Sequence, residues 1–280
     1  MIKSYSKVNL FLNVLSKNKK GLHNIQTISV LTSLHDQIEI KKINNNNKDQ
    51  INFLGNFKKD ISKTNNSVTK TLQILRDYKF IKKQDHFEIN IYKNIPVFAG
   101  LGGGTSNAYY IAKHFIKKKF NKKLIKLFQN KIGSDFSLFL FNKSVLTSLN
   151  KVEILKEKTR LYFAIVFPKI KCSTKEIYAS VKKYSTPISN SRLSKIKSKN
   201  FLDIVFTNSN DLENIVRKKY KKIDTLIKLI SIQKNCLLAR MTGSGSACFG
   251  LFLNLKSAQI ALHSIRKKYG KDYCFFAKSI

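Results

Sequence analysis

Residues 100–108 read Gly-Leu-Gly-Gly-Gly-Thr-Ser-Asn-Ala, directly after an apolar, strand-like stretch and directly before a helix-like one. Only 11 of the 280 residues are glycine, yet four of them fall between Gly100 and Gly104. Without a Cβ the backbone can come close to a ligand and adopt positive φ, so that successive N–H groups converge on phosphate oxygens. A helix that follows such a loop adds the positive end of its dipole. One or two glycines between a strand and a helix would mark only a tight turn. Four in five positions, closed by Thr105, Ser106 and Asn107, point to an anion site. Two familiar phosphate motifs do not fit. A Walker A loop needs Gly-Lys-Ser/Thr at its end, and here Gly104 is followed by Thr105 and Ser106. A dinucleotide fingerprint starting at Gly100 or Gly102 needs glycine where the chain has Thr105 or Asn107. What remains is a third kind of phosphate loop on another fold.

The net charge of +37 offers a rival reading, binding of nucleic acid through counterion release. Composition argues against it. Of 53 basic residues only six are Arg, the residue suited to bidentate phosphate and base contacts, and the lysines are spread along the whole chain. The excess charge reads as a bias in residue usage whose consequence is a positive field that attracts anionic substrates. No apolar run approaches the roughly 18 residues that span a bilayer, and no signal-peptide core is visible, so a cytoplasmic protein with no membrane partner is expected. Cys172, Cys236, Cys248 and Cys274 are widely spaced, which indicates neither a zinc site nor a disulfide framework.

Lys3 to Leu15 reads as a half-buried strand with Val8, Leu10, Leu12 and Val14 on one face, so Lys7 and Asn9 share the other. Further strand signals lie at 28–43, 87–93 and 161–167. Helical spacing appears at 63–80 and at 105–120, where Ala108, Ile111, Ala112 and Phe115 make one apolar stripe. More helices are expected around 209–220 and 255–269. Asn44 to Lys48 reads as a mobile loop, and 183–200, rich in Ser, Lys and Asn, as a flexible surface excursion. The length suits two domains, 1–150 and 151–280.

Only 16 residues are acidic, so a carboxylate in a special setting stands out. Asp135 lies in Ile132-Gly133-Ser134-Asp135-Phe136, where it either caps a helix or faces a cleft as base or orienting group for a hydroxyl. Lys7 either points to water or, facing such a carboxylate, places positive charge near a transferred phosphoryl group. Phosphoryl transfer rests mainly on position and electrostatics, so Lys, Asp, a glycine cradle and Mg²⁺ would be a sufficient set.

These residues resemble the GHMP kinase superfamily in six ordered blocks that cover nearly the whole chain. The blocks are Ser6-Lys7-Val8-Asn9-Leu10-Phe11-Leu12; Gly21-Leu22-His23 with Gln26-Thr27; Ile95-Pro96 with 100–108; Gly133-Ser134-Asp135; Asn210-Asp211-Leu212-Glu213; and Met241-Thr242-Gly243-Ser244-Gly245. The resemblance implies an α+β, two-domain GHMP kinase fold, with an N-terminal ribosomal-protein-S5-like domain, a C-terminal ferredoxin-like domain and a substrate cleft between them. It implies a small-molecule kinase of isoprenoid precursor synthesis that uses ATP, with Mg²⁺ carried by the nucleotide. The substrate implied is a cytidine-diphosphate-linked methylerythritol, phosphorylated on its 2-hydroxyl. Residue by residue, Pro96, Ala99, Gly100, Leu101, Gly102, Gly103, Gly104, Thr105 and Ser106 would bind ATP. Asp135 would orient or deprotonate the hydroxyl, and Lys7 would pair with Asp135 and steady the phosphoryl group. Asn9, Gly243 and Ser244 would line the substrate side, His23 would hydrogen-bond the cytosine, and Tyr178 would stack on it. No protein ligand to a metal is implied.

Four departures concern the substrate side more than the phosphate side. Leu22 stands where the family has tyrosine, which replaces a stacking partner with plain apolar contact. Phe98 stands where a small residue is usual, Phe136-Ser137 replaces Val-Pro, and Asn142 to Asn150 contains no glycine. Homoserine- and mevalonate-type kinases share the glycine loop but lack the Gly-x-His and Gln-Thr pairing. A nucleic-acid-binding protein with a merely structural glycine loop is the other class to test.

Overall fold

The structure is a computed structural model that describes residues 1–18, 21–44, 48–148, 151–194, 196 and 198–280. It comprises two compact units. The first holds Met1–Ser6, His35–Val97 and Gly102–Leu140, the second Lys7–Leu34, Phe98–Leu101 and Phe141–Ile280. Neither is a single run of sequence, because the paired long strands β1 (Ile2–Lys17) and β2 (His23–Ile43) contribute to both.

In the first unit β2 pairs antiparallel with β4 (His86–Tyr92), from Gln37 opposite Tyr92 to Ile43 opposite His86. β3 (Gln50–Leu54) adds in parallel on the far side of β4. Helix α1 (Ser67–Asp77) is shorter than the periodicity over 63–80 predicts, because Asn66 forms a capping box: its side chain accepts from Val68 and Thr69 N–H, and Thr69 Oγ1 accepts from Asn66 N–H. Helix α2 (Gly103–Phe115) starts two residues earlier than the stripe suggests, at the left-handed Gly102. It buries Ala108, Ile111 and Ala112, and Phe115 meets Phe87 edge to face at 4.9 Å. It stops before 120, and Asn121 caps α3 (Lys122–Lys131) through Leu124 N–H. A 3-10 helix, Ser134–Leu140, closes the unit.

In the second unit β2 pairs with β5 (Lys143–Ser148) and β5 with β6 (Lys151–Ile154). A separate antiparallel sheet has the order β10-β7-β9-β8, built from β7 (Tyr162–Val166), β8 (Leu238–Met241), β9 (Cys248–Phe252) and β10 (Cys274–Lys278). Beyond the short α7 (Glu213–Lys219), helices α8 (Lys221–Ser231) and α9 (Leu255–Tyr269) pack on it through Ile223, Leu226, Ile230, Ala261, Leu262 and Ile265, as amphipathic stripes require. This is the arrangement implied for a ferredoxin-like domain.

Two expectations change. β1 is buried from Ser6 to Asn13 on both faces, so Lys7 and Asn9 do not point to water. Of the stretch 183–200, expected to be a flexible excursion, residues 195 and 197 lie outside the described residues; the described part holds α5 (Asn190–Ser194) and the start of α6 (Ser198–Thr207), and Leu193 and Ile196 are buried. Gln26 holds Ile188 at both its N–H (2.8 Å) and its carbonyl (2.9 Å), and Ser185 N–H donates to the Val14 carbonyl. The polar composition hid these anchors. Of the loop expected at Asn44 to Lys48, residues 45–47 lie outside the described residues. Among the described residues no helix is long and apolar enough to cross a membrane, and all four cysteines are free.

Candidate active site

The first half of the glycine loop is fixed by backbone contacts within the second unit. The Ala99 carbonyl accepts from Ala247 N–H and the Leu101 carbonyl from Lys7 N–H, both at 3.0 Å. Gly100 has φ +74°, and a β-carbon there would lie 2.2 Å from the Thr242 carbonyl oxygen. Its lack of a side chain therefore serves the close approach of two loops. Gly100→Ala combines a left-handed strain with a backbone collision and should destabilise the fold by about 3 kcal/mol. A urea midpoint unchanged from wild type would contradict this.

The third motif brings the lysine and the asparagine of β1 to the same spot. Lys7 is 2% exposed and donates its ammonium to Asn9 Oδ1. Asn9 Nδ2 donates to Thr27 Oγ1 at 3.0 Å, and Asn9 N–H to Thr242 Oγ1 at 2.9 Å. Gly243 has φ +55°, and a β-carbon there would sit 3.1 Å from Lys7 Nζ and 3.0 Å from the Gly100 carbonyl. Lys7, Asn9, Gly100 and Gly243 thus converge.

The Asn-Asp-Leu-Glu block buttresses this cluster. Buried Asn210 donates to the carbonyls of Met241 (2.8 Å) and Gly243 (2.9 Å). Asp211 accepts from Val14 N–H at 2.7 Å, and Glu213 from Met241 N–H at 2.8 Å. Burial pushes the Glu213 carboxyl above its ordinary range, against the Met241 N–H bond and the charges of Arg240 and Arg217. The block is recognisable in sequence, but its part as a brace is visible only in three dimensions.

In the first unit the helix ladder of α2 begins with Ser106 N–H donating to the Gly102 carbonyl at 2.8 Å. The amides of Gly103, Gly104 and Thr105 precede that bond and point from a helix start, the geometry that receives an anion. Gly104 is exposed, and Gly102, Gly103 and Thr105 are part-exposed, so these amides suit the phosphates of a nucleotide. Ser106 differs: it is fully buried, and its hydroxyl donates to the Tyr5 carbonyl at 2.6 Å.

Asp135 lies in the first turn of the 3-10 helix and is half-buried. The turn before it lies against the start of α2, with a β-carbon position at Gly133 3.8 Å from Thr105 Oγ1. Phe136 meets Tyr109 edge to face at 5.6 Å and stacks on Phe128 at 4.6 Å. The unusual Phe136 is therefore a core anchor that seats the aspartate turn on α2. Pro96 is buried, and Phe98 is half exposed at φ +55°.

Back in the second unit, the His23 and Tyr178 rings lie 5.1 Å apart with their planes tilted by 33°. Tyr178 sits in α4 (Thr174–Ala179), whose first residue Thr174 hydrogen-bonds Ser244 at 2.9 Å between hydroxyls. Partial burial and the nearby Lys17 charge lower the His23 pKa, which favours the neutral imidazole. Leu22 is 53% exposed. A cavity of about 400 Å³ lined by Pro168, Lys169, Lys222 and Lys268 contains none of these residues. Among the described residues no group of three or more His, Cys, Asp or Glu side chains is placed to hold a metal.

Comparison with known proteins bears on this geometry. The family model for the GHMP kinases N terminal domain matches residues 66–138, and that for GHMP kinases C terminal matches 193–271. The chain is 35% identical over 283 residues to a 4-diphosphocytidyl-2-C-methyl-D-erythritol kinase of Pelagibacter ubique, covering 100% of this chain and 98% of that protein. It is 31% identical to the protein of the same name from Caldanaerobacter subterraneus, covering 96% and 93%. Among solved structures, a 4-(cytidine 5'-diphospho)-2C-methyl-D-erythritol kinase superposes with TM-score 0.76 at 19% identity, covering 99% of this chain and 98% of that one. The L. major mevalonate kinase in complex with R-mevalonate reaches 0.72 at 14% identity, covering 100% and 96%, so the fold extends across kinases with different substrates. Full-length identity to the first two relatives, on top of the ordered motifs and the two-domain fold, makes this chain a member of the 4-diphosphocytidyl-2-C-methyl-D-erythritol kinase family.

Proposed function

We infer that the chain is an ATP-dependent kinase that phosphorylates the 2-hydroxyl of 4-diphosphocytidyl-2-C-methyl-D-erythritol in the non-mevalonate isoprenoid precursor pathway. The observation that carries the reading is the buried Lys7 ammonium held by Asn9 and set close to Gly243, a fixed positive charge at the point where the third motif meets β1. Such a group stabilises charge on a phosphoryl group in flight without reorganising. The amides of Gly103, Gly104 and Thr105 cradle the ATP phosphates, and Pro96, Ala99, Gly100, Leu101 and Gly102 set the loop's course. Magnesium carried by the nucleotide neutralises phosphate charge. The 2-hydroxyl oxygen bonds to the γ-phosphorus as the bond to the β–γ bridging oxygen breaks, ADP leaves, and Asp135 aligns or accepts the hydroxyl proton. Buried Ser106 supports the helix start from below. The placement of the two matched family regions supports a division into domains 1–150 and 151–280.

His23 and Tyr178 hold the cytosine, with Ser244 and Gly243 toward the diphosphate. His23→Ala is then expected to raise KM for the cytidyl substrate about tenfold at nearly constant kcat and constant KM for ATP. Steady-state kinetics in both substrates reads this out, and an unchanged KM would remove His23 from the site. The reading as a whole is tested by ADP release with the cytidyl substrate, homoserine and mevalonate in parallel. Turnover of either rival alcohol without the cytidyl substrate would replace the assignment. Salt-dependent nucleic-acid binding without ATP turnover would end it.

A further inference from the structure

Asp36 lies within β2 and is 0% exposed. A carboxylate so placed must be hydrogen-bonded on every side, and this one is. Its Oδ1 accepts from the N–H groups of Asn94 and Ile95, both at 2.8 Å. Its Oδ2 accepts from the Lys93 ammonium and from Asn107 Nδ2, the latter at 3.0 Å. Lys93, itself 2% exposed, also donates to Asn107 Oδ1 at 3.0 Å. Asn107 Nδ2 reaches on to Ser4 Oγ at 2.9 Å, which lies 2.7 Å from Ser106 Oγ. The ion pair follows from sheet register, one step beyond Gln37 opposite Tyr92.

These partners fall on both flanks of the glycine loop. Lys93, Asn94 and Ile95 run directly into Pro96, while Ser106 and Asn107 belong to the first turns of α2. A β-carbon at Gly103 would stand 3.4 Å from Lys93 Nζ and 3.0 Å from Ile95, so the cluster lies directly beneath the helix start. Stability alone explains such a cluster poorly, since a buried ion pair often contributes no more than well-packed apolar residues. Fixed geometry explains it better, because a cradle of amides works only when the loop's entry and exit are held at one angle.

We propose that Asp36 is a positioning residue for ATP, clamping the segment that enters the phosphate loop to the helix that leaves it. The proposal rests on the ATP-dependent reading above. Asp36→Asn keeps the shape but turns an amide NH₂ toward two other donors, Lys93 and Asn107. It is expected to raise KM for ATP and Kd for a non-hydrolysable ATP analogue about tenfold or more, with KM for the cytidyl substrate unchanged. In D36N/K93Q a glutamine oxygen can accept from that NH₂, and most of the ATP affinity should return. Ser4→Ala, a smaller change in the same network, should raise KM for ATP about threefold.

A lowered melting temperature with wild-type ATP affinity in D36N would overturn the proposal, as would equal weakening of both substrates. If D36N does not fold, a wild-type KM for ATP in Ser4→Ala overturns it equally. Absence of ATP-dependent turnover in the wild-type chain would instead strike the functional assignment.

Discussion

Lys7→Ala is expected to lower kcat about a thousandfold while KM for ATP changes by less than about threefold. The ammonium is buried, bonded to Asn9 and 3.1 Å from a β-carbon position at Gly243, so its charge is set before substrate arrives. A donor of this kind acts mainly on the transition state, where the phosphoryl oxygens carry redistributed charge, and its loss appears in kcat. Truncation also leaves Asn9 Oδ1 without this donor, which weakens the fold locally. Lys7→Met separates the two effects, since it fills the same volume without charge. A kcat for Lys7→Met within about threefold of wild type would show that Lys7 only packs.

Asp135→Asn should reduce kcat by about 10²- to 10⁴-fold, the range for loss of a positioned proton acceptor. Asparagine has nearly the same shape and fits the same turn, which Phe136 against Tyr109 and Phe128 and Gly133 beside Thr105 hold in place. The melting temperature should therefore stay near wild type while turnover collapses. Full activity in a folded Asp135→Asn protein would reduce the residue to a helix-start cap. Both kinetic tests need saturating cytidyl substrate, so that a loss of binding is not read as a loss of chemistry.

Much of the candidate site is legible in one dimension because phosphate recognition by backbone leaves a mark in composition. Glycines that must approach another backbone or adopt positive φ cannot be replaced cheaply, so they cluster where the loop forms. Gly100 shows the limit of that logic. Its glycine is required by the Thr242 carbonyl 2.2 Å from a β-carbon position, a contact across some 140 residues of chain that no local pattern reveals. Asp36 was missed for a related reason. In sequence it sits in a strand of mixed polarity, and only the register that puts Lys93 opposite it turns a surface-like residue into a buried clamp.

The order of the six motifs and the pairing of Lys7 with Asp135 rest on the family resemblance; the residues alone yield a glycine loop suited to an anion, the helix that follows it, and a lysine and an acid as separate candidates for chemistry. These depend on local rules: glycine's access to positive φ, the 3.6-residue period, and the rarity of carboxylates in so basic a chain. Tertiary structure alone decided that β1 is buried on both faces, that Lys7 answers to Asn9 and Gly243, that Asn210 and Glu213 brace the third motif, and that Ile188 is anchored by Gln26. Apart from the Lys7–Asn9 bond, each of these depends on residues far apart in the chain, and a polar side chain's partner, unlike its local conformation, is set by what the rest of the fold brings beside it.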